Sequence, residues 1–268
     1  MSVVIPAFNE ESRLPATLSS INDYLTDHYD SFEVLVVDDG STDRTSQVVQ
    51  SHASVYPNVR LLSYGGNRGK GYAVRLGVIA AQGDFVLITD ADRSSPIDEV
   101  ANLLAVLDEG ADIAIGSRAK FACDKKVESS LSRRFAGICF NVLVRSLLVR
   151  GIFDTQCGFK LFKREQAHEL FSVAQSDGFA FDVEILHVAK LRGYSVFEVP
   201  INWSHCDGSK VSLLVDSPKM LLDIFQIAMR SARNAYRAKK THNDITATRT
   251  IRGSLKQEAT GRTGRIIR

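Results

Sequence analysis

Short, unbroken apolar runs alternate with helical patterns through the first 118 residues, and this rhythm restricts the fold more than any other feature of the chain. The apolar runs are residues 3–5, 32–37, 59–62, 85–89 and 111–118. Between them Leu14, Leu18, Ile21 and Leu25 recur at helical spacing. Val48 and Val49, then Ala73, Leu76, Val78 and Ala80, then Val100, Leu103, Leu104 and Leu107 mark three further helices. Runs that are apolar throughout, without a polar alternate, are what strands covered on both faces look like. Short connections between strand and helix argue for parallel strands joined by right-handed crossovers. The expected class is therefore α/β: a Rossmann-like, mostly parallel sheet with helices on both faces.

The strands share a second property, which is that they end on polar groups. The first leads into Pro6, Ala7, Asn9 and Glu10, the second into Asp38 and Asp39, and the fourth into Asp90, Ala91 and Asp92. In a parallel α/β sheet these carboxyl ends lie on one rim, where ligands bind. Residues i and i+2 of a strand point to one side, so Asp90 and Asp92 are expected to aim at one spot. A hard divalent cation bridging to substrate phosphates wants oxygen ligands placed this way. The competing expectation is a turn at Asp90 and a helix cap at Asp92. Asp38 or Asp39 suits a base N–H or a ribose hydroxyl. The Gly69-Lys70-Gly71 stretch is no phosphate-binding P-loop, since neither Ser nor Thr follows Lys70, yet it supplies Arg68 and Lys70 as counter-charges beside the acidic rim. Pro6 to Glu10 stand where a dinucleotide-binding dehydrogenase needs its glycine fingerprint, which argues against that class.

After Arg118 the rhythm changes. Residues 121–130 read as a polar loop and 134–150 as an apolar helix. Residues 154–162 read as a strand or hairpin carrying Gln156, Cys157, Gly158 and Lys160, followed by a helix at 182–191 and a strand at 195–202. A long helix is expected at 217–237, with Lys219, Asp223, Gln226, Arg230, Arg233 and Arg237 as one polar stripe on an otherwise apolar cylinder. The tail, 239–268, lacks apolar periodicity and is expected to be disordered. From Arg230 onward eleven basic residues face two acids, a net +9 in a chain whose total is +2. The expected organisation is a domain over 1–216, with halves 1–118 and 119–216, an amphipathic helix over 217–238 and the basic tail. Four cysteines with no C-x-x-C pair suggest neither a zinc site nor a disulfide framework, and so a reducing compartment. The chain opens on strand-like Ser2 to Ile5 without a signal-peptide pattern, and no apolar run approaches the ~18 residues of a spanning helix.

Four motifs, taken in order, carry a resemblance: residues 4–10 (VIPAFNE), 36–43 (VVDDGSTD), 67–71 (NRGKG) and 90–92 (DAD). Together they resemble the inverting family 2 glycosyltransferases, whose nucleotide-sugar domain has the GT-A fold. Residues 116–118 (GSR), 154–160 (DTQCGFK), 181–184 (FDVE), 202–203 (NW) and 208–210 (GSK) are similar to those of dolichyl-phosphate β-glucosyltransferases.

The resemblance implies roles for particular residues. Asp90 and Asp92 would be the D-x-D pair holding Mg²⁺ or Mn²⁺ on a nucleotide diphosphate. Pro6, Ala7, Asn9 and Glu10, with Asp38 or Asp39, would hold the nucleoside, and Lys70 and Ala91 would complete the nucleotide-sugar site. Arg118, Lys160 and Lys210 would face the pyrophosphate or an acceptor phosphate, with Asp154 and Gln156 as catalytic residues near sugar and acceptor.

The implied reaction is inverting hexosyl transfer, UDP-glucose favoured as donor, to a polyprenyl (dolichyl-type) phosphate. A GDP-mannose-dependent relative and a catalytically silent nucleotide-binding domain are the alternatives. A phosphate acceptor, with a second pKa of ~6, needs no strong general base, so Asp182 and Glu184 receive no such role and are equally read as capping a helix. The amphipathic helix and basic tail suit peripheral attachment to the cytoplasmic side of a membrane; no nucleic-acid partner is expected.

Overall fold

The computed structural model describes residues 1–118, 127–128, 148–204 and 213–236. The sequence expectations for 121–126, 129–130, 134–147, Lys210 with its neighbours 205–209, Arg237 and the tail 239–268 lie outside these residues. Where the helix expected at 134–150 enters them, at 148–150, the chain is in a turn.

The strands are β1 (Ser2–Ala7), β2 (Glu33–Asp38), β3 (Val59–Ser63), β4 (Phe85–Ile88), β5 (Ile113–Ser117), β6 (Val127–Glu128), β7 (Lys160–Lys163), β8 (Val196–Pro200) and β9 (Trp203–Ser204). The helices are α1 (Leu14–His28), α2 (Thr45–Val55), α3 (Lys70–Ala80), α4 (Val100–Asp108, preceded by a 3₁₀ turn at Ile97–Glu99), α5 (Arg164–Val173), α6 (Phe181–Leu191) and α7 (Leu213–Ala232). Seven strands form one sheet in the order β3-β2-β1-β4-β7-β5-β8, and β6 pairs with β9 apart from it.

The apolar runs are explained by what lies on each face. Val4, Leu35, Val37, Val86, Ile88, Ile113 and Ile115 pack on one side with α3, α5, α6 and the inner face of α7. Their alternates Val3, Ile5, Val34, Val36, Leu87 and Ala114 pack on the other with α1, Val49 of α2, and α4. The inner strands β1, β2, β4 and β5 thus bury both pleat faces, at roughly 1.5–3 kcal/mol per large apolar side chain, while the edge strands β3 and β8 stay partly exposed.

Pairing is parallel for β3–β2, β2–β1, β1–β4 and β5–β8. β7 runs antiparallel between β4 and β5. Its first residue, Lys160, lies opposite Ile88 and Ile115, at the carboxyl ends of its two parallel-running neighbours. An antiparallel strand starts where parallel ones finish, so the segment 154–159 is delivered to the rim that collects the ends of β1, β2 and β4.

Two local expectations are corrected. The strand expected within 154–162 is confined to Lys160–Lys163. β4 stops at Ile88, so Asp90 and Asp92 lie in a turn beyond it. Strand alternation therefore does not aim them; the turn does.

One compact unit, Met1–Tyr236, contains every described residue. α7 begins at Leu213, earlier than expected, and is seated by Met220, Ile224 and Ile227 at i, i+4, i+7 spacing. Tyr236, just past the helix, is also buried, whereas Leu221, Leu222, Phe225 and Met229 stay exposed.

Candidate active site

β1 pairs with β2 on one side and β4 on the other, and the sheet order reverses there. β4 pairs only as far as Val4, so the end of β1, with Pro6 and its missing N–H, projects past its neighbour. A crevice opens at this switch point, as in other open α/β sheets. A cleft of about 560 Å³ occupies it, lined by Pro6 and Ala7 of β1, by Glu10 just beyond it, and from the β4 turn by Asp90, Ala91 and Asp92.

The Asp38–Asp39 alternatives separate here. Asp39 lines the cleft and is buried; its carboxylate accepts the Tyr64 hydroxyl at 2.9 Å and the N–H groups of Arg68 at 2.6 Å and Gly69 at 2.9 Å. It thereby fastens the loop that leads into Lys70, and three bonds leave about one of a carboxylate's four lone-pair sites for a ligand donor. Burial, and then the bond to Asp39, push the Tyr64 phenol well above its ordinary range, which keeps it a donor. Asp38 turns away, accepting the Ser41 N–H at 2.9 Å and the Ser46 hydroxyl at the entrance to α2. Asn9 is likewise structural in its contacts: it takes a left-handed backbone (φ 55°), and its Oδ1 accepts the Thr42 N–H at 2.8 Å. Glu10 lines the cleft already held by a two-bond fork from Arg13, at 2.6 and 2.5 Å.

The acidic turn is built from three contacts. Thr17 of α1 donates to the Ala91 carbonyl at 2.6 Å and pins the turn from behind. Asp92 Oδ1 accepts both the N–H and the hydroxyl of Ser94, at 2.9 and 2.7 Å, a side-chain turn of the kind Asp favours. The turn reading of the sequence is thus present, but Asp92 braces its own turn and still lines the cleft. Asp90 Oδ1 is 2.6 Å from Lys70 Nζ at the start of α3. Burial raises the Asp90 pKa, but Lys70, with Lys160 and Arg118 behind it, holds the carboxyl below its usual range. Burial likewise lowers Lys70, but Asp90, with Asp182 and Asp92, raises it overall. Both groups are therefore charged at neutral pH.

Gly158 fixes where that carboxylate can lie. A Cβ there would fall 2.2 Å from Asp90 Oδ2 and 2.7 Å from Cγ. The carboxylate rests directly against a backbone that carries no side chain. Gly158→Ala is expected to displace it and to lower kcat/KM by about 10²-fold, the scale of an ångström misplacement, with the melting temperature shifted by only a few degrees. Steady-state kinetics beside a thermal melt checks this; parent-level activity would mean that Asp90 need not stay where it is.

A second cation faces the cleft from β5. Arg118 forks onto Asp154, Nε to Oδ2 and Nη2 to Oδ1 both at 2.8 Å, and its own N–H adds a third bond at 2.9 Å. The Asp154 N–H donates to Glu198 Oε1 at 2.8 Å, and the Ser117 hydroxyl to the same oxygen at 3.1 Å. Burial pushes the Asp154 pKa up, but Arg118 outweighs it and holds the carboxyl below its usual range. The pair uses two of the five guanidinium N–H groups, and Trp203 lies 5.3 Å beneath Arg118. Asp154 itself is buried and absent from the cleft wall; it orients Arg118.

Lys160 departs further from the sequence expectation. It is 1% exposed and does not line the cleft. Its ammonium donates to Asp182 and, at 2.5 Å, to the Cys157 carbonyl. Asp182 does reach the cleft, and burial raises its pKa despite Lys160. Burial pushes the neighbouring Cys157 thiol up to about 11, which removes it as a nucleophile.

The structure thus brings Pro6, Ala7, Glu10, Asp39, Lys70, Asp90, Ala91, Asp92, Arg118 and Gln156 to one cleft, and leaves Asn9, Asp38, Asp154 and Lys160 behind it. Sequence reasoning did not assign Arg13, Trp203, Lys219, Met220 or Asp223 to it. Arg13 had a signal, three residues after Glu10 at the start of a helix; the last three arrive on α7 and had none.

A crevice at the sheet's switch point that gathers paired acids and two cations suits a metal-bound diphosphate, as an activated sugar carries, and comparison supplies the class. Residues 2–171 match the glycosyl transferase family 2 model, and the chain belongs to that family. Among curated proteins it is 39% identical over 254 residues to the dolichyl-phosphate β-glucosyltransferase of Mus musculus, covering 90% of this chain and 78% of that one. It is 36% identical to the Saccharomyces cerevisiae protein of the same name, covering 90% and 77%. The mostly parallel sheet is of the GT-A type. It matches the glucosyl-3-phosphoglycerate synthase of Mycobacterium tuberculosis, solved with Mn²⁺, UDP-glucose and phosphoglyceric acid, with a TM-score of 0.65 at 21% identity, over 85% of this chain and 79% of that one.

Proposed function

We propose that this chain transfers glucose from UDP-glucose to a polyprenyl phosphate of the dolichyl type, with inversion at C1. The observation that carries the reading is the single cleft in which Asp90 and Asp92 face Lys70 and Arg118: acids for a metal-bound diphosphate, cations for phosphate oxygens. The name borne by the curated relatives supports glucose and dolichyl phosphate as the two substrates.

Asp90 and Asp92 would hold Mg²⁺ or Mn²⁺, whose chemistry is to stabilise charge building on the departing nucleoside diphosphate. The residues fit such an ion: Asp90 is kept ionised, and both carboxylates border one space. Among the described residues no group of three or more His, Cys, Asp or Glu forms a closed cage. A carboxylate pair that leaves positions for phosphate oxygens suits Mg²⁺-like ions. The Mn²⁺ and UDP-glucose in the Mycobacterium structure agree with this choice.

The chain's own groups do the rest. Asp39 and the β1 end bind the nucleoside, and Lys70 and Arg118 oppose the negative charge that grows as the bond from C1 to the diphosphate breaks. The acceptor is already a phosphate anion near neutrality, with a second pKa of ~6. Its oxygen attacks C1 without giving up a proton, so no general base is required, and Asp182 is left free of that role. A turnover panel tests this: with Mn²⁺ and a short polyprenyl phosphate, UDP-glucose should be consumed at least ~10-fold faster than GDP-mannose. Preference for GDP-mannose would move the chain to the mannosyl reading, and consumption of neither would end both.

The acceptor's hydrocarbon must enter from a bilayer. Leu222 and Phe225 on α7 are 64% and 65% exposed, with Leu221 and Met229 beside them and the basic residues from Arg230 onward following. No described helix is long and apolar enough to cross a membrane. We place this face of α7 on the cytoplasmic membrane surface, where apolar insertion and basic attraction act together. Leu222→Asp with Phe225→Asp should cut sedimentation with anionic liposomes by about 5-fold or more at low salt; unchanged sedimentation would refute the placement.

A further inference from the structure

Glu184 plays no part in the chemistry above, yet it is fully buried and its partners arrive from opposite sides. Oε2 accepts the N–H groups of Gln175 at 2.9 Å and Ser176 at 2.7 Å. Oε1 accepts the hydroxyl of Tyr236, just beyond α7, at 2.5 Å, and lies 3.5 Å from the guanidinium of Arg230 within it.

The segment that Glu184 holds on its first side leans on the donor site. The Asp177 carbonyl accepts the Tyr72 N–H at 3.2 Å, and the Asp177 carboxylate pairs with Arg75 at 2.5 Å. A Cβ on Gly69 would fall 2.4 Å from the Asp177 carbonyl oxygen, and one on Gly71 would fall 2.4 Å from that of Ser176. The 176–178 backbone is thus pressed against both glycines that flank Lys70, and Lys70 holds Asp90. Gly178 and Phe179, next along, line the cleft.

We propose that Glu184 is a positioning residue that couples the seating of α7 to the placement of Lys70 in the donor cleft. This rests on the donor reading above. A buried carboxylate is tolerable only while its donors stay. If the end of α7 lifts, Tyr236 and Arg230 leave together, and Glu184 is left with only the partners on its other side. The segment it braces then loosens from Gly69 and Gly71. Coupling of this kind is reciprocal, so a nucleotide in the cleft also tightens α7. Contact of α7 with a lipid surface would therefore be felt where the donor binds, through Glu184 as well as through the α7 residues that line the cleft.

Tyr236→Phe and Glu184→Gln test it in the full chain, read by UDP titration calorimetry with Mn²⁺, by amide exchange at Tyr72, and by melting temperature. Tyr236→Phe should weaken UDP binding about 5-fold and speed exchange at Tyr72, with Glu184→Gln larger in both. A fall in melting temperature with UDP affinity and Tyr72 exchange at parent values would make Glu184 merely structural and overturn the proposal. If Glu184→Gln fails to fold, Tyr236→Phe decides alone. If the parent chain does not bind UDP, the donor reading fails, and Tyr72 exchange still decides the coupling.

Discussion

Asp92→Ala is expected to reduce turnover by at least ~10³-fold while the protein stays folded. The size follows from the place of the carboxylate: it borders the cleft in a turn beyond β4 and supports no core packing. Among its structural contacts it accepts two bonds from Ser94, and losing a cap of that kind costs about 1 kcal/mol. The two duties can be separated. Asp92→Asn keeps an oxygen for Ser94 but removes the charge, so it should melt like the parent and turn over as poorly as the alanine variant. Kinetics at saturating Mn²⁺ with melts on the same samples makes the comparison. If Asp92→Asn works at near-parent rate, the brace of the turn was the whole role, and the metal assignment falls.

Arg118→Ala should damage both activity and stability. The guanidinium is the cleft's cation on the β5 side, and removing such a group from a charge-stabilising site costs about 10²–10³-fold. It also strands Asp154, buried at 2% exposure, without its fork. Breaking a buried pair costs ~3–5 kcal/mol; Arg118 is itself part-exposed, so about 2–3 kcal/mol is expected here. Adding Asp154→Asn removes the stranded charge, and the double variant should regain most of the lost melting temperature and none of the activity. If activity returns along with stability, Arg118 acts through folding alone.

The contrast between Arg118 and Lys160 shows what the sequence could and could not disclose. Both were expected to face phosphate. Arg118 follows a strand end, and strand ends are legible as apolar runs that stop. Lys160 sits between Phe159 and Leu161, and a lysine inside an apolar run has to be paired and buried. Its mate, Asp182, is 22 residues away at the start of α6, a distance in sequence that no local pattern spans. The helix at 182–191 and the strand within 195–202 were legible from composition, as the first half of the sheet was; β7 was not. Strands β1 to β5 and β8 are locally marked by composition, whereas the antiparallel insertion of β7 between β4 and β5 is a non-local pairing. The Asp90–Asp92 pair was found for an incomplete reason: strand alternation pointed to it, but a turn pinned by Thr17 and a glycine that yields space to Asp90 place it.

On the proposed reading, paired acids and opposed cations serve transfer of glucose to a phosphate on a lipid. The most direct measurement follows UDP-glucose, Mn²⁺ and a short polyprenyl phosphate with the purified chain by proton and phosphorus NMR. UDP should be released in step with one new glucosyl phosphate lipid, whose anomeric proton shows the β configuration. UDP release without a lipid product, or a product that retains the α configuration, would contradict it.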